Sequence, residues 1–179
     1  MYDNLFWTNG LRQTISVAAI DGGHFADVVD NELEKPRSIA VFPAGGLIFW
    51  SDWGTYPRIE KSGMNGKNRS VLVMEDMLWP NGISLDLIAG RLYWVDAKLH
   101  TISSVKFDGS DRRTLLKGSE LLHHPYSISL LEDWVYWSDW VQNGSTIFRA
   151  NKFDGGDLEK LTEVNLVSSN FLKYGHKKL

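Results

Sequence analysis

Carboxylate side chains recur in this chain at a regular interval. Asp52, Asp96 and Asp139 each stand two residues after a tryptophan, and Asn9 has that place in an earlier copy. Acid–base or metal chemistry needs an unlike set of groups converging on one point. Equivalent carboxylates from successive repeats are typical of scaffolding instead. We therefore expect these aspartates to end strands and accept hydrogen bonds that tie repeats together, and we predict no enzyme, metal site or cofactor.

Histidines and additional aromatic residues flank the repeats. His100 follows the third copy and His124 precedes Pro125. Histidine gains charge between about pH 5 and 8, but a lone histidine in a loop is more often a solvent-exposed residue with no such role. Exposed tryptophan and tyrosine are typical anchors of protein-binding surfaces. The candidates outside the repeat core are Trp53, Tyr56, Trp79, Trp134 and Trp140. The alternative is that some of these rings cap the ends of the core.

The repeat itself reads LFWTN, LIFWSD, LYWVD and VYWSD. Its tryptophans are Trp7, Trp50, Trp94 and Trp137, spaced 43, 44 and 43 residues apart. Around each copy lie short apolar segments rich in β-branched and aromatic residues, which favour strands. A period of about 40–45 residues with four strands per unit predicts propeller blades. The four tryptophans and Asp52, Asp96 and Asp139 are then blade scaffold, and the loss of one such tryptophan would cost about 3–5 kcal/mol.

Turn residues recur with the same period. Asp or Asn followed by Gly stands at positions 21, 65, 108 and 154, which predicts hairpins with type I′ turns. The fourth unit has one extra residue between Ile147 and Asp154, which predicts a β-bulge.

The landmarks divide the chain into an arc of about three and a half to four blades. Residues 1–35 form a blade without its first strand, 36–78, 79–123 and 124–166 form full blades, and 167–179 form a tail or the start of another. An open arc exposes apolar end faces, which predicts a piece of a longer chain.

Composition excludes several classes of function. The net charge of −3 provides no basic surplus for nucleic acid. The chain has no cysteine, and no apolar run approaches the ~18 residues of a membrane span. Asn68-Arg69-Ser70 and Asn143-Gly144-Ser145 are candidate N-glycosylation sites.

The motifs FWSDWG, WPNGISLD, RLYWVDAKLHTISS and HPYSIS resemble the YWTD repeat of the low-density-lipoprotein receptor family. The resemblance extends over residues 1–166 and implies part of an all-β, six-bladed propeller. It also implies a partner-binding rim at Trp53, Trp79 and Asn81, and a pH-sensing surface at His100 and His124. Glu120 departs from the pattern, because a basic residue there would better suit an acidic partner.

The implied function is that of an extracellular or endosomal-lumenal segment of a single-pass endocytic receptor for lipoprotein or yolk protein (vitellogenin). At endosomal pH such a propeller captures the receptor's own ligand-binding repeats, releases cargo and permits recycling; flanking EGF-like modules are further partners. One alternative is a Wnt co-receptor-type ligand-binding propeller. A more distant one is a metal-dependent lactonase-like enzyme, in which Asn81, Asp86 and Asp96 would imitate the ligands.

Overall fold

Each tryptophan-bearing repeat lies in an antiparallel sheet of its own in the computed structural model. The structure describes residues 4–118, 120, 122–141 and 144–164. Within these ranges there are one three-stranded and three four-stranded sheets, and strands adjacent in sequence are paired. The predicted fold class, an all-β partial propeller, is confirmed. The proposed tail or blade start at 167–179 lies outside the described residues.

The strands follow one another in chain order. Sheet 1 contains β1 (Asn4–Asn9), β2 (Thr14–Ala19) and β3 (Phe25–Val29). Sheet 2 contains β4 (Pro36–Phe42), β5 (Leu47–Asp52), β6 (Arg58–Gly63) and β7 (Ser70–Val73), and a 3₁₀ turn (Pro43–Gly45) joins β4 to β5. Sheet 3 contains β8 (Pro80–Asp86), β9 (Arg91–Asp96), β10 (Thr101–Lys106) and β11 (Arg113–Lys117). Sheet 4 contains β12 (Pro125–Leu131), β13 (Trp134–Val141), β14 (Gly144–Asn151) and β15 (Glu159–Val164).

The apolar core consists of clusters between neighbouring sheets. Trp50 packs against Ile15 and Val29 of sheet 1, and Trp94 packs against Phe49 of sheet 2. Trp137 is likewise buried against sheet 3. Because each sheet has two faces and only its neighbours to cover them, the central strands are apolar on both sides. Trp7 is half-buried, with its ring 5.7 Å from that of Phe25.

Two arginines cover the core tryptophans of the middle sheets. The guanidinium of Arg69 lies 5.5 Å from the Trp50 ring, and that of Arg112 lies 5.4 Å from Trp94. Arg112 also donates to the carbonyls of Glu75 and Asp76, in the connector from sheet 2 to sheet 3. Each arginine therefore joins the outer hairpin of its own sheet to the connector that enters it.

The outer hairpins form as predicted, but their turn type differs from the prediction. In the first, the Gly22 N–H donates to the Ala19 carbonyl, and of the three residues between Ala19 and Gly23 only Gly22 has positive φ. The Asp21 carboxylate accepts the Gly23 N–H at 2.9 Å. This is a three-residue loop closed by a left-handed glycine, where a type I′ turn needs two residues with positive φ. The aspartate holds the turn through its side chain.

The glycine of each later turn approaches the outer strand of the preceding sheet. A Cβ on Gly66 would lie 2.0 Å from the Val28 carbonyl oxygen, and one on Gly155 would lie 2.5 Å from that of Leu115. The equivalent glycine of the first hairpin, Gly22, has nothing within 4 Å of such a Cβ. These glycines therefore serve interblade packing in addition to the turn.

The extra residue of the fourth unit is not in a bulge, contrary to the prediction. A register shift follows Ile147, but the same shift follows Ile15, Ile59 and Ile102. The difference lies in the turn, where the N–H of Asn151 bonds the carbonyl five residues ahead instead of four as in the other hairpins. The longer turn absorbs the insertion and leaves the strand register unchanged.

The carboxylates at the strand ends hold the connectors between sheets. Asp96 accepts the N–H groups of Leu78 and Trp79 at 2.8 and 3.0 Å, immediately before Pro80. Asp52 accepts those of residues 34 and 35, and Asp139 those of residues 123 and 124. Each carboxylate is buried, and each bonds the two residues that precede the opening proline of its sheet. Asn9 caps only its own turn, through the N–H groups of residues 11 and 12.

Two buried carboxylates have pKa values shifted in opposite directions. Burial raises the pKa of Asp139, against the opposing effect of the N–H groups of His124 and His123. At Asp86 burial also acts to raise the pKa, but the Lys152 ammonium at 2.8 Å and the turn N–H groups outweigh it and lower the pKa.

We expect Gly66→Ala to destabilise the fold more than Gly22→Ala. Both positions have positive φ, so either substitution incurs strain of about 1–2 kcal/mol. Only residue 66 adds a clash with a neighbouring sheet, worth about 1–3 kcal/mol more. Urea unfolding of the two variants measures the difference. Equal losses in the free energy of unfolding would show that the contact of Gly66 with the neighbouring sheet does not contribute to stability.

We expect Asp86→Asn and Asp139→Asn to differ in their pH dependence. A carboxyl group whose pKa is higher in the folded than in the unfolded state stabilises the fold most at low pH. This contribution to the free energy of unfolding is lost as the pH rises through the folded-state pKa. The stability difference between wild type and Asp139→Asn should therefore fall as pH rises above 3.8, the ordinary pKa of an aspartate. Asp86, whose pKa is lowered, contributes fully to the stability of the fold above pH 3.8 and loses this contribution only below that pH. Denaturant titrations between about pH 4 and 7 should show a falling difference for Asp139 and a flat one for Asp86. Parallel curves would contradict this assignment.

Candidate protein-binding face

Two positions in each full sheet lie together at one end of the strands. The first precedes the opening proline, and the second follows the strand-end aspartate. In sheet 2 the Trp53 N–H donates to the carbonyl of Lys35 at 3.0 Å, and in sheet 4 the Trp140 N–H donates to that of His124 at 3.2 Å. Ala97 and Trp79 are bonded in the same way in sheet 3. The backbone of this end repeats, while its side chains vary.

These varying side chains form an aromatic row, which we define as Trp53, Trp79, His124 and Trp140. The centroids of the Trp53 and Trp79 rings lie 5.2 Å apart. The His124 ring meets Trp79 edge-on at 5.8 Å and Trp140 at 6.3 Å. The row extends across sheets 2, 3 and 4, and His124 lies between two indoles.

Cations lie against the aromatic row. The Arg37 guanidinium lies 4.3 Å from the centroid of Trp53 and 5.7 Å from that of Tyr126, and the Lys98 ammonium lies 5.4 Å from Trp79. Glu34 is also near this end and keeps its negative charge, because its carboxylate accepts from the backbone N–H and hydroxyl of Thr55 and the backbone bond is the main cause of its lowered pKa. The row and its cations therefore present aromatic surface with positive charge, which suits an acidic partner.

The tryptophans of the row differ in the fraction of each side chain that is exposed. Trp140 is 60% exposed and Trp79 is 38% exposed, whereas Trp53 is half-buried. Large aromatic rings held by neighbours and still open to solvent provide contact area at a small entropic cost. Sequence reasoning listed Trp140 among the aromatic candidates, and the structure places it next to His124 at the end of the row. It missed Arg37, because the contact with Tyr126 joins different repeats.

His100 lies in the β9–β10 turn, outside the ring contacts of the row. Its Nδ1 is 2.6 Å from the carbonyl oxygen of Leu122, two residues before His124. In sheet 1 the equivalent Gln13 side chain donates to the carbonyl of Glu34 at 3.0 Å. Because the Leu122 carbonyl oxygen can only accept a hydrogen bond, Nδ1 carries the hydrogen that it donates, and a second proton would bind at Nε2 and leave this bond intact. His100 thus positions the connector that carries His124.

Asn81, predicted on the rim, is buried instead. It is only 5% exposed, and its amide donates to the Pro125 carbonyl at 2.9 Å. The next residue explains the burial, because a Cβ on Gly82 would lie 2.9 Å from the Ile128 nitrogen and the Tyr126 oxygen. The innermost strands β8 and β12 approach closely here, so Asn81 joins two blades and presents no surface to a partner.

The remaining sequence candidates lie apart from the row. Tyr56 is exposed, in the loop after Trp53. Trp134 is at the opposite end of β13 from Trp140, with the Arg149 guanidinium 4.3 Å from its ring. Asn68 is in the β6–β7 turn, and Asn143 lies outside the described residues.

The residues proposed to imitate a metal-dependent lactonase do not converge. Asp96 pairs with Pro80 at one end of the β8–β9 ladder, whereas Asp86 pairs with Arg91 at the other. Asp86 is bonded to Lys152, and Asp96 accepts N–H groups from both of its flanking loops. Across the described ranges, no group of three or more His, Asp or Glu side chains is arranged to hold a metal ion.

A membrane-spanning helix would have to be long and apolar, and the described part of the chain forms none.

Comparison with known proteins identifies relatives of this repeat. The family model for the low-density lipoprotein receptor repeat class B matches residues 3–43, 46–87 and 90–130, more than half of the chain. The vitellogenin receptor Yl of Drosophila melanogaster is 41% identical over 86% of this chain, and the vitellogenin receptor of Solenopsis invicta is 39% identical over 88%. The chain covers only 8% and 9% of these two proteins.

A human relative is of more similar length. The low-density lipoprotein receptor-related protein 5-like protein is 37% identical over 76% of this chain, which covers 54% of that protein.

Solved structures show the same fold. A chain in the crystal structure of a nidogen/laminin complex superposes with a TM-score of 0.76 at 30% identity; the match covers 83% of this chain and 55% of that one. A luciferin-regenerating enzyme superposes with a TM-score of 0.64 at 14% identity over 86% of this chain and 57% of its own, which shows the fold alone. With its matched repeats, its receptor relatives and its propeller blades, the chain belongs to the low-density lipoprotein receptor class B (YWTD) repeat family.

Proposed function

We propose that this chain is an extracellular propeller segment of an endocytic receptor for lipoprotein or yolk protein, and that it supports acid-dependent cargo release. The observation that carries the proposal is the His124 ring between Trp79 and Trp140. The similarity to vitellogenin receptors over most of the chain supports the receptor class. The segment has no proposed enzymatic role.

Protonation of His124 supplies the acid dependence in this proposal. A cation over the face of an indole is stabilised by about 0.5–2 kcal/mol, and in this proposal the His124 imidazolium makes such a contact with a neighbouring tryptophan. It adds a third positive group to Arg37 and Lys98 on this face. An acidic partner, such as the receptor's own ligand-binding repeats, would then bind more tightly at endosomal pH and displace cargo.

His100 acts indirectly in this scheme. Its bond to the Leu122 carbonyl holds the connector that ends at His124. Since that bond is retained on protonation, His100 contributes position, and His124 contributes the change of charge at the surface.

A second candidate function is a Wnt co-receptor-type ligand-binding propeller. It is supported by the similarity to the human low-density lipoprotein receptor-related protein 5-like protein and by the exposed indole of Trp140. It differs from the first in requiring no acid-dependent partner. If the chain bound a cysteine-rich acidic repeat equally well at neutral and at endosomal pH, this second function would be favoured.

We expect His124→Ala to remove the acid-induced release of cargo from a receptor that carries this segment. The comparison variant is His100→Gln, which preserves the carbonyl bond as Gln13 does in sheet 1 but does not titrate. It should retain release, whereas His100→Ala should weaken it. Cargo release is measured at about pH 5.5 and at neutral pH. Unchanged release by His124→Ala would overturn the histidine mechanism.

The control for a general histidine effect is His24→Asn. His24 is exposed in the turn between β2 and β3, at the opposite end of the strands, and asparagine tolerates its positive φ. Loss of release in this variant would show that histidine titration acts without the aromatic row.

We expect Trp79→Ala to weaken binding of an acidic ligand-binding repeat by about 2 kcal/mol or more, the range of an interface hot spot. Trp134→Ala at the opposite end of sheet 4 should leave binding unchanged. Calorimetric titration of purified repeats at endosomal pH measures both, after circular dichroism shows that each variant is folded. Equal effects of the two substitutions would exclude the aromatic row as the docking surface.

A further inference from the structure

The β6–β7 hairpin presents to solvent both the acceptor asparagine and the hydroxyl residue of an N-glycosylation motif. Asn68 is exposed with φ of 55°, and Ser70 is exposed at the start of β7. Among the described residues, neither the Asn68 amide nor the Ser70 hydroxyl has a hydrogen-bond partner. Both groups are therefore unoccupied by the fold itself.

The middle residue of the motif points the other way. Arg69 donates to the Glu60 carboxylate at 2.8 and 3.0 Å and to the carbonyls of Asn31 and Glu32. It is also the arginine that covers Trp50. This anchoring fixes the turn, and because Asn68 itself is exposed, a large substituent on its amide has no packed side chain to displace.

We propose that Asn68 carries an N-linked glycan. The amide nitrogen of Asn68 would attack the first sugar carbon of a lipid-pyrophosphate-linked oligosaccharide. A C–N bond forms, the sugar–phosphate C–O bond breaks, the lipid pyrophosphate leaves, and the amide loses one proton to a base. The transfer takes place in the secretory pathway, so the inference depends on the extracellular placement in the proposed function.

The position of the glycan relative to the aromatic row has a functional consequence. Strand β6 pairs Arg58 with Asp52 at one end and Gly63 with Leu47 at the other. Trp53 follows Asp52, whereas Asn68 lies in the turn that follows Gly63. The two sites are at opposite ends of the same sheet, so a glycan on Asn68 shields the turn end and leaves the aromatic row free for a protein partner.

The test is the occupancy of Asn68 in protein secreted from eukaryotic cells. Enzymatic removal of N-glycans in ¹⁸O water converts an occupied asparagine to labelled aspartate, and peptide mapping reads this directly on the wild-type chain. We expect label at residue 68. A secreted, folded protein with unlabelled residue 68 would overturn the proposal.

Variants give an independent readout of the same site. Asn68→Gln and Ser70→Ala should each remove the mass of one glycan, whereas Asn65→Gln in the same turn lies outside the motif and should not. Asn143→Gln accounts for the second motif. If neither Asn68→Gln nor Ser70→Ala changes the mass, the proposal fails.

The glycan and the proposed function can fail separately. We expect Asn68→Gln to bind acidic repeats at the aromatic row as wild type does. Occupied Asn68 with no acid-dependent release would refute the histidine mechanism alone. Loss of repeat binding on removal of the glycan would overturn the inference that the two ends of the blade are independent.

Discussion

The connectors between blades are held by buried carboxylates, and the candidate binding face depends on this interaction. Asp52, Asp96 and Asp139 each accept the two backbone N–H groups that precede an opening proline. A buried backbone N–H without a partner costs roughly 1–3 kcal/mol, so the connector is fixed where the carboxylate is. Trp79 and His124 are the last residues of two such connectors. The row is thus positioned by groups that never contact a partner.

Within one motif of this propeller, the residues that recur in every full blade lie next to residues that vary and form the candidate binding face. The strand-end aspartate recurs in each full blade because it accepts the same two hydrogen bonds, from the residues that precede the opening proline. The side chains next to the aspartate and the proline carry no such requirement. At the position after the aspartate the chain has Trp53, Ala97 and Trp140. The small Ala97 leaves the surface of sheet 3 to Trp79 and Lys98.

Sequence reasoning could predict the blades, because periodicity reports which residues face a neighbour. It could place the strands, the hairpins and the tryptophan core. It could not predict that Arg69 and Arg112 would lie over the core tryptophans, since contacts between a hairpin and a connector have no period of their own. The turn type was also wrong: the Asp-Gly signal is shared by two loop lengths, and the side-chain bond of Asp21 favours the longer.

The candidate site could be predicted only in part, for a related reason. Trp53 and Trp79 lie outside the core of the repeat, which made them candidates for a binding surface, and the structure brings their rings together. Asn81 was a rim candidate together with these tryptophans. It lies instead where the innermost strands β8 and β12 converge, and Gly82 permits their close approach. The contact of Arg37 with Tyr126 depends on the same convergence. Positions near the propeller axis are governed by neighbouring blades, which a single repeat does not encode.

His100 shows how a residue can suit one role by type and another by geometry. The family resemblance implied a sensor at this position, yet the ring makes the bond that a glutamine side chain makes in sheet 1. A group that donates the same hydrogen bond before and after protonation does not change what it holds. His124 has the complementary arrangement: its backbone is fixed by Asp139, and its ring is flanked by two indoles. In our proposal one histidine keeps the loop in place, and the other gains the charge.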